Sequence, residues 1–278
     1  MSIRALLFSA IGLLSGCQHN GMNIDFDKAL SIAQKAQQAN KTITEPEEIS
    51  MGNGIAANLL GASPLLADDS VQQYVNEVGR WVSLHTERPD LPWKFGILAT
   101  TDVNAFATPG GTIFITRGLL QKLDNESELA GVLAHEMVHV LRRHHLAALQ
   151  KEANLGIASD LLGVALKEKN SAVLEKAIKA GTEVYARGLD KNDEFEADRM
   201  GIVIATRAGY DPFGLPAVLQ MLEAGNAQDS SLALMFKTHP APRDRLNLLD
   251  KVMGNRFDAY TAPAQTDKRF NNAVYQRI

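Results

Sequence analysis

The chain has 278 residues, 45% of them hydrophobic and 22% charged, which is ordinary for a globular protein with a real core and enough for one large or two small domains. A formal net charge of −4 argues against a nucleic-acid binder, which usually presents a basic surface. The single cysteine rules out an intrachain disulfide.

That cysteine is informative by position. Arg4 is the only charged side chain before Asp25, and Ala5 to Leu14 is a mostly apolar run. The run is too short to span a bilayer but fits the apolar core of a secretory signal. Leu14-Ser15-Gly16-Cys17 follows at once. It resembles the bacterial lipoprotein signal, in which the cysteine is lipidated and becomes the first mature residue. Residues 1–16 would then be a signal peptide and Cys17 a membrane anchor, since several acyl chains hold firmly where one is marginal. Gln18 rather than Asp comes next, which resembles an outer-membrane address, on the periplasmic face. The alternative is an ordinary signal peptide with a stray cysteine.

Residues 17–43 read as a polar tether, Gln18 to Asn23, and an alanine- and glutamine-rich helix, Ala29 to Asn40. Thr44-Glu45-Pro46-Glu47 is a capping box with proline in the first turn, so a helix starts there and continues to about Leu60. Asp68 or Asp69 caps the next helix, in which Val71, Tyr74, Val75, Val78 and Val82 keep helical spacing to about His85. Pro89 to Pro92 is a turn, and Trp93 to Ala99 a strand. Asn104 to Phe106 and Thr112 to Thr116 are extended pieces broken by Pro109-Gly110-Gly111. The fold class is therefore mainly α with a small β-sheet, the sheet packing on the helix that follows it. An edge strand there would bind an extended peptide through its backbone, and a purely structural hairpin fits the pattern equally well.

The helix that follows, Glu128 to His145, holds the main chemical signal, His135-Glu136-Met137-Val138-His139. Asn125 with Glu128 resembles a capping box, and Leu129, Val132, Leu133 and Val140 supply packing surface. Histidines four apart lie on one side of a helix and can grip one zinc ion. Glu136 sits roughly 60° round from His139 at about 100° per residue, where its carboxylate reaches a water beside the metal without ligating. That set is what metal-assisted hydrolysis needs: a Lewis acid, an acidified water and a general base. A coincidental pattern would leave these polar groups costly to bury.

From His145 to about Tyr185 the chain reads as helical and alanine-rich, with 153–167 and 172–181 as a pair covering the site. Catalytic zinc usually takes three protein ligands, and the downstream candidates are His239 and the carboxylates of Glu194-Phe195-Glu196-Ala197-Asp198. Glu194 and Asp198 share a helix face, so one can ligate while the other accepts the free N–H of a ligating histidine. Glu196 points elsewhere. Against this stands the ordinary reading of such glutamates as a solvated face.

These residues carry a family resemblance. His135 to His139 with Arg143-His144, then Glu194-x-x-Ala197-Asp198, resemble the zinc metalloproteases related to HtpX and the CaaX prenyl protease. Asn104-Ala105-Phe106-Ala107-Thr108-Pro109-Gly110-Gly111, Gly118-Leu119-Leu120, Ala208-Gly209-Tyr210-Asp211-Pro212 and Thr238-His239-Pro240 are similar to further segments of that family. The nearest likeness is to its soluble periplasmic lipoproteins of the LoiP and BepA kind. The resemblance implies a gluzincin domain over 44–255, a tail over 256–278, and one zinc ion held by His135, His139 and Glu194. It implies Glu136 as general base and Asp198 as support for a ligating histidine. It also makes Asn104, Ala105, Gly110, Gly111, Thr112, Ile113 and Phe114 substrate-binding, with Gly110 to Thr116 as the substrate-aligning edge strand. His239 matches a histidine that approaches the zinc as an extra ligand or a transition-state donor, and a merely exposed loop histidine is the open alternative. Arg187 departs from the pattern, because relatives often keep a shorter link from this arginine to the ligand glutamate.

The implied function is an endopeptidase acting on misfolded or unassembled envelope proteins, with envelope assembly partners and no nucleic acid. The rival is a periplasmic chaperone or assembly factor whose zinc site is latent or structural, closed by His239. A non-peptidase zinc hydrolase is disfavoured, since no small-substrate pocket signature is seen.

Overall fold

The first helix forms where the capping box stands. The Glu47 carboxylate accepts from the Thr44 backbone N–H at 2.9 Å, and α1 runs Glu45–Ala62. Asp68 accepts from the N–H groups of Ser70 and Val71 at 3.0 and 3.1 Å and starts α2, Asp69–Ser83. Its Val71, Val75, Val78 and Val82 are all buried, as their spacing predicts. The strands are β1, Lys94–Leu98, β2, Ala105–Thr108, and β3, Thr112–Thr116, and a single turn, α3, Arg117–Leu120, follows. Then come α4, Glu126–Leu141, α5, His144–Asn154, α6, Lys191–Arg207, α7, Gly214–Ala224, α8, Ala233–Thr238, α9, Pro242–Met253, and α10, Gln265–Phe270. This computed structural model describes residues 43–154, 188–225, 229–257, 260 and 265–278. Cys17, the tether and its helix, most of the expected 153–181 helix pair, and Arg187 lie outside the described residues.

The strand order is β1-β3-β2, with β1 parallel and β2 antiparallel to β3. The β2–β3 hairpin turns through Gly110 and Gly111, at φ 80° and 104°, which a residue with a Cβ adopts only under strain. The β3 strand is thus central, bonded on both sides, and all five of its residues are buried. Gly110 to Thr116 cannot be the peptide-binding edge expected of it, because its backbone groups are used by β1 and β2 and by the turn. The outer edge beside the hairpin belongs to β2.

Every residue of α4 is buried, so this helix is the axis around which the others pack. On one side it meets β2, β3 and α2; on others it meets α6, α7 and α10. The approach of α6 is closest at Gly201, where an added Cβ would lie 2.9 Å from the His135 backbone nitrogen. Only glycine lets the two helices cross there, and the crossing brings Glu194 and Asp198 beside His135.

Two expectations change. The helix predicted from Glu128 to His145 starts at Glu126, ends at Leu141, and breaks at Arg143, which takes the left-handed φ of 57°. A new helix, α5, then leaves in another direction from His144. The stretch 256–278, expected as a tail, contributes Phe270 and Val274 to the main core, both fully buried. The described residues all belong to one unit, Thr42–Ile278, and no helix among them is long and apolar enough to cross a membrane.

Candidate metal centre

The C-terminal half of α4 presents His135, Glu136 and His139, each almost completely buried. Asp190 caps α6 and thereby sets the first turn that carries Glu194. His135 Nε2 and His139 Nε2 lie 3.1 Å apart, and Glu194 approaches each at 3.6 Å. The three ligand atoms fall within 4.8 Å of one another. Donor atoms about 2.0–2.1 Å from a tetrahedral ion sit roughly 3.3 Å apart, so the spacing suits a zinc-sized cation.

The chemistry of the donors fits as well. Two imidazole nitrogens face each other and can share only one proton. Glu194 Oε2 is buried with no hydrogen-bond partner among the described residues. An orphaned carboxylate oxygen beside two converging nitrogens is costly unless a cation joins them.

The electrostatics follow from burial and neighbours. Burial works against a charged His135, but Asp198 and Glu194 outweigh it and raise the ring to about 9. His139 is held well below its ordinary value by burial, with His135 adding repulsion. Glu194 resists burial because His239, His135 and His139 face it, and it stays well below the usual carboxylate range. Burial pushes Glu136 up to about 7, next to Glu194.

Around the cluster stands a supporting ring. Asp198 Oδ1 lies 3.0 Å from His135 Nδ1. Arg245 on α9 grips both oxygens of Asp198, its Nε at 2.8 Å from Oδ2. Burial is outweighed by Arg245, and Asp198 is lowered to about 2. His239, just after α8, brings Nε2 to 3.8 Å from Glu194 Oε2, and its Nδ1 meets the Thr238 hydroxyl at 2.9 Å. Burial lowers His239 to about 4. Glu196, as expected, turns away, reaching Arg142 at 3.1 Å.

The β2 edge completes the site. Asn104 O and Thr108 O accept from Thr116 and Gly111 across the hairpin, at 3.0 and 3.2 Å. Strand alternation therefore turns the peptide groups of Ala105 and Ala107 the other way. The Ala107 N–H donates to the Glu136 carboxylate, and the Ala105 N–H is taken by Asn104 Oδ1 at 3.0 Å. A cavity of about 30 Å³ remains between β2, Glu136, the Gly188–Leu189 segment and Thr238–His239. That is room for a water or two between these walls.

The structure thus brings together His135, Glu136, His139, Glu194, Asp198 and His239, with Asn104 and Ala105 on the wall. Gly110, Gly111, Thr112, Ile113 and Phe114 do not line the cavity; they form the turn and the central strand. Arg245 and His145 join the site with no signal in the sequence, and Ala107 and His144, part of the resemblance alone, join it as well. Arg245 sits six residues beyond His239, a distance with no helical or strand meaning across the Pro240 bend. The helix expected over Glu128 to His145 includes His144 and His145, and only the Arg143 break swings them under the metal ligands.

The chain is similar to known metalloproteases. The profile described as peptidase family M48 matches residues 69–253. The beta-barrel assembly-enhancing protease of Escherichia coli (strain K12) is 31% identical over 265 residues, covering 90% of this chain and 54% of that protein. Metalloprotease YcaL of the same organism is 28% identical over 257 residues, covering 89% of this chain and 96% of that one. Mitochondrial metalloendopeptidase OMA1 of Schizosaccharomyces pombe is 26% identical over 182 residues, covering 64% of this chain and 52% of that one. The chain spans about half the length of the assembly-enhancing protease it matches.

Proposed function

The chain belongs to peptidase family M48 and is a metalloprotease, and from that premise we propose that it is a zinc-dependent endopeptidase of the bacterial cell envelope. The observation that carries this reading is the buried meeting of His135, His139 and Glu194 with Glu136 beside them. His135, His139 and Glu194 would hold the ion. Bound there, zinc supplies a Lewis acid for the scissile carbonyl and makes the attacking water more acidic.

The chain's own residues do the rest. Asp198 accepts from His135 Nδ1, which leaves Nε2 bare toward the ion, and Arg245 holds Asp198 in place. Glu136 takes a proton from the water and returns it to the leaving amine. A substrate strand would donate to the outward-facing carbonyls of Ala105 and Ala107 on β2, whose N–H groups are taken by Asn104 and Glu136. Substrates would be misfolded or unassembled envelope proteins, a class suggested by the printed name of the Escherichia coli assembly-enhancing relative. Cys17, by its signal-like setting, would tether the protein to the periplasmic face of the outer membrane.

One observation favours a second reading, a chaperone or assembly factor with a latent site. His239 lies within reach of the cluster, and the cavity beside it is narrow. An added Cβ at Gly188 would lie 2.3 Å from Thr238 O, so the two covering segments are packed tightly together. In that reading, cleavage would require Gly188–Leu189 and Thr238–His239 to part. The test is metal analysis of the purified mature protein with cleavage of unfolded casein, wild type beside Glu136→Gln and His239→Ala. The protease reading expects zinc in both wild type and Glu136→Gln and no cleavage by Glu136→Gln; retained cleavage there would sink it. Faster cleavage by His239→Ala identifies a latent protease.

A further inference from the structure

His144 takes no part in the chemistry above, yet it is a buried imidazole placed against a proposed ligand. Its Nδ1 lies 3.0 Å from His139 Nδ1, with the two rings at 69° and 5.1 Å between centroids. On the far side, His144 Nε2 faces Glu196 Oε2 at 3.5 Å and Asp193 Oδ1 at 3.7 Å. The backbone goes to some expense to achieve this. Arg143 adopts a left-handed φ of 57°, which is uncommon outside glycine, asparagine and aspartate. Its guanidinium is held at 2.9 Å by Glu48, a fully buried carboxylate on α1 that also accepts the Gly110 N–H at 3.3 Å. Had α4 run on through His145, His144 would stand five residues beyond His139 and roughly 140° round the helix, at about 100° per residue.

The hydrogen-bond logic then runs in one direction. A neutral His139 that gives Nε2 to a metal carries its proton on Nδ1. The acceptor facing that N–H is His144 Nδ1, which must be bare, so His144 carries its proton on Nε2. That edge of the ring faces Glu196 and Asp193 at 3.5 and 3.7 Å, longer than an ordinary hydrogen bond but near enough for their charge to favour a proton there. Resting on the zinc reading of His135, His139 and Glu194, we propose that His144 is a positioning residue that locks His139 in its metal-binding tautomer, with Glu196 and Asp193 as the anchor of the relay. His135 is held by a carboxylate directly, through Asp198. His139 meets an interposed imidazole whose far edge faces two carboxylates.

The experiment is zinc affinity of the purified mature protein, measured by competition with a chromophoric chelator. His144→Leu keeps bulk but removes the acceptor, and lowers affinity about 10- to 100-fold, the usual effect of losing such a partner. His144→Asn places Oδ1 where Nδ1 was and recovers most of the loss. Wild-type affinity in His144→Leu, or no recovery in His144→Asn, overturns this inference while leaving the zinc site standing. A wild-type protein that takes up no zinc overturns the site and the inference together. Long-range proton–nitrogen spectra of the zinc-loaded wild type need no variant: His139 protonated at Nδ1 and His144 at Nε2 support the relay. His144 protonated at Nδ1 overturns it.

Discussion

The two ends of α4 each bury a charged cluster, and they solve the problem differently. At the N-terminal end, Glu126 is fully buried but accepts from Tyr74 at 2.8 Å, Tyr210 at 3.0 Å and Arg269 Nε at 3.1 Å, with Arg269 Nη2 on its other oxygen. Every lone pair has a donor, and the cluster ties α2, α4, the Tyr210 loop and α10 into one core. At the C-terminal end, Glu194 keeps an oxygen without a hydrogen bond while two imidazole nitrogens converge beside it. Burial alone does not mark a functional site; a buried oxygen left without a hydrogen bond beside converging imidazoles does. Glu126 is complete without a ligand, and the His135–His139–Glu194 cluster is not.

The comparison breaks most sharply at Glu136. Glu136→Gln lowers casein cleavage by about 10²- to 10⁴-fold, the usual worth of a general base, with zinc content and melting temperature kept. The same change at Glu126 leaves cleavage untouched when assayed well below its melting point. Equal losses at both ends would abolish the distinction.

Metal removal comes next. With free zinc at about a thousand times the dissociation constant, binding stabilises the fold by about 4 kcal/mol, so chelation lowers the melting temperature. Calorimetry with and without chelator reads this directly, and a melting point indifferent to chelator contradicts a zinc-completed cluster.

A pH series sharpens the same point. In the metal-free protein Asp198 and Glu194 prevail over burial and hold His135 protonated to about pH 9, above its ordinary value. Zinc must displace that proton, so affinity rises as pH rises toward 9 and falls roughly tenfold per unit below it. Chelator competition at pH 6.5, 7.5 and 8.5 measures the slope, and a flat line removes His135 from the ligand set.

The smallest effect belongs to Arg269→Met. The arginine side chain is 62% exposed, so screening trims its worth to about 1 kcal/mol of stability. The melting temperature drops a little, while zinc affinity and cleavage per folded molecule do not move.

Much of the site was legible because it depends on short spacings. His135 with His139, and Glu194 with Asp198, are pairs four apart, and a helix puts such pairs on one face whatever surrounds it. Capping at Thr44, Asp68 and Asn125 was equally local. The fold class followed from one short β region among long helical stretches. The C-terminal helix was missed because the polar run Gln265 to Arg269 hides a single anchoring ring, Phe270. Which strand forms the edge was misread because strand order is not written in any one strand: β2 and β3 have similar β-rich composition, and only the parallel pairing of β1 with β3 buries the latter.

The sequence by itself determined the chemistry available: a two-histidine grip with an adjacent carboxylate, and a second helix carrying one ligand candidate and one support. Local periodicity suffices for that, since the backbone imposes it. The tertiary structure decided what converges on that chemistry. Arg245 reaches Asp198 from 47 residues away, His239 comes in from beyond α8, and the Ala107 N–H reaches Glu136 from the β2 edge. His144 meets His139 only because Glu48, from α1, holds Arg143 in a strained turn. Those meetings depend on how helices cross, at Gly201 above all, and a crossing is a property of two surfaces packed together.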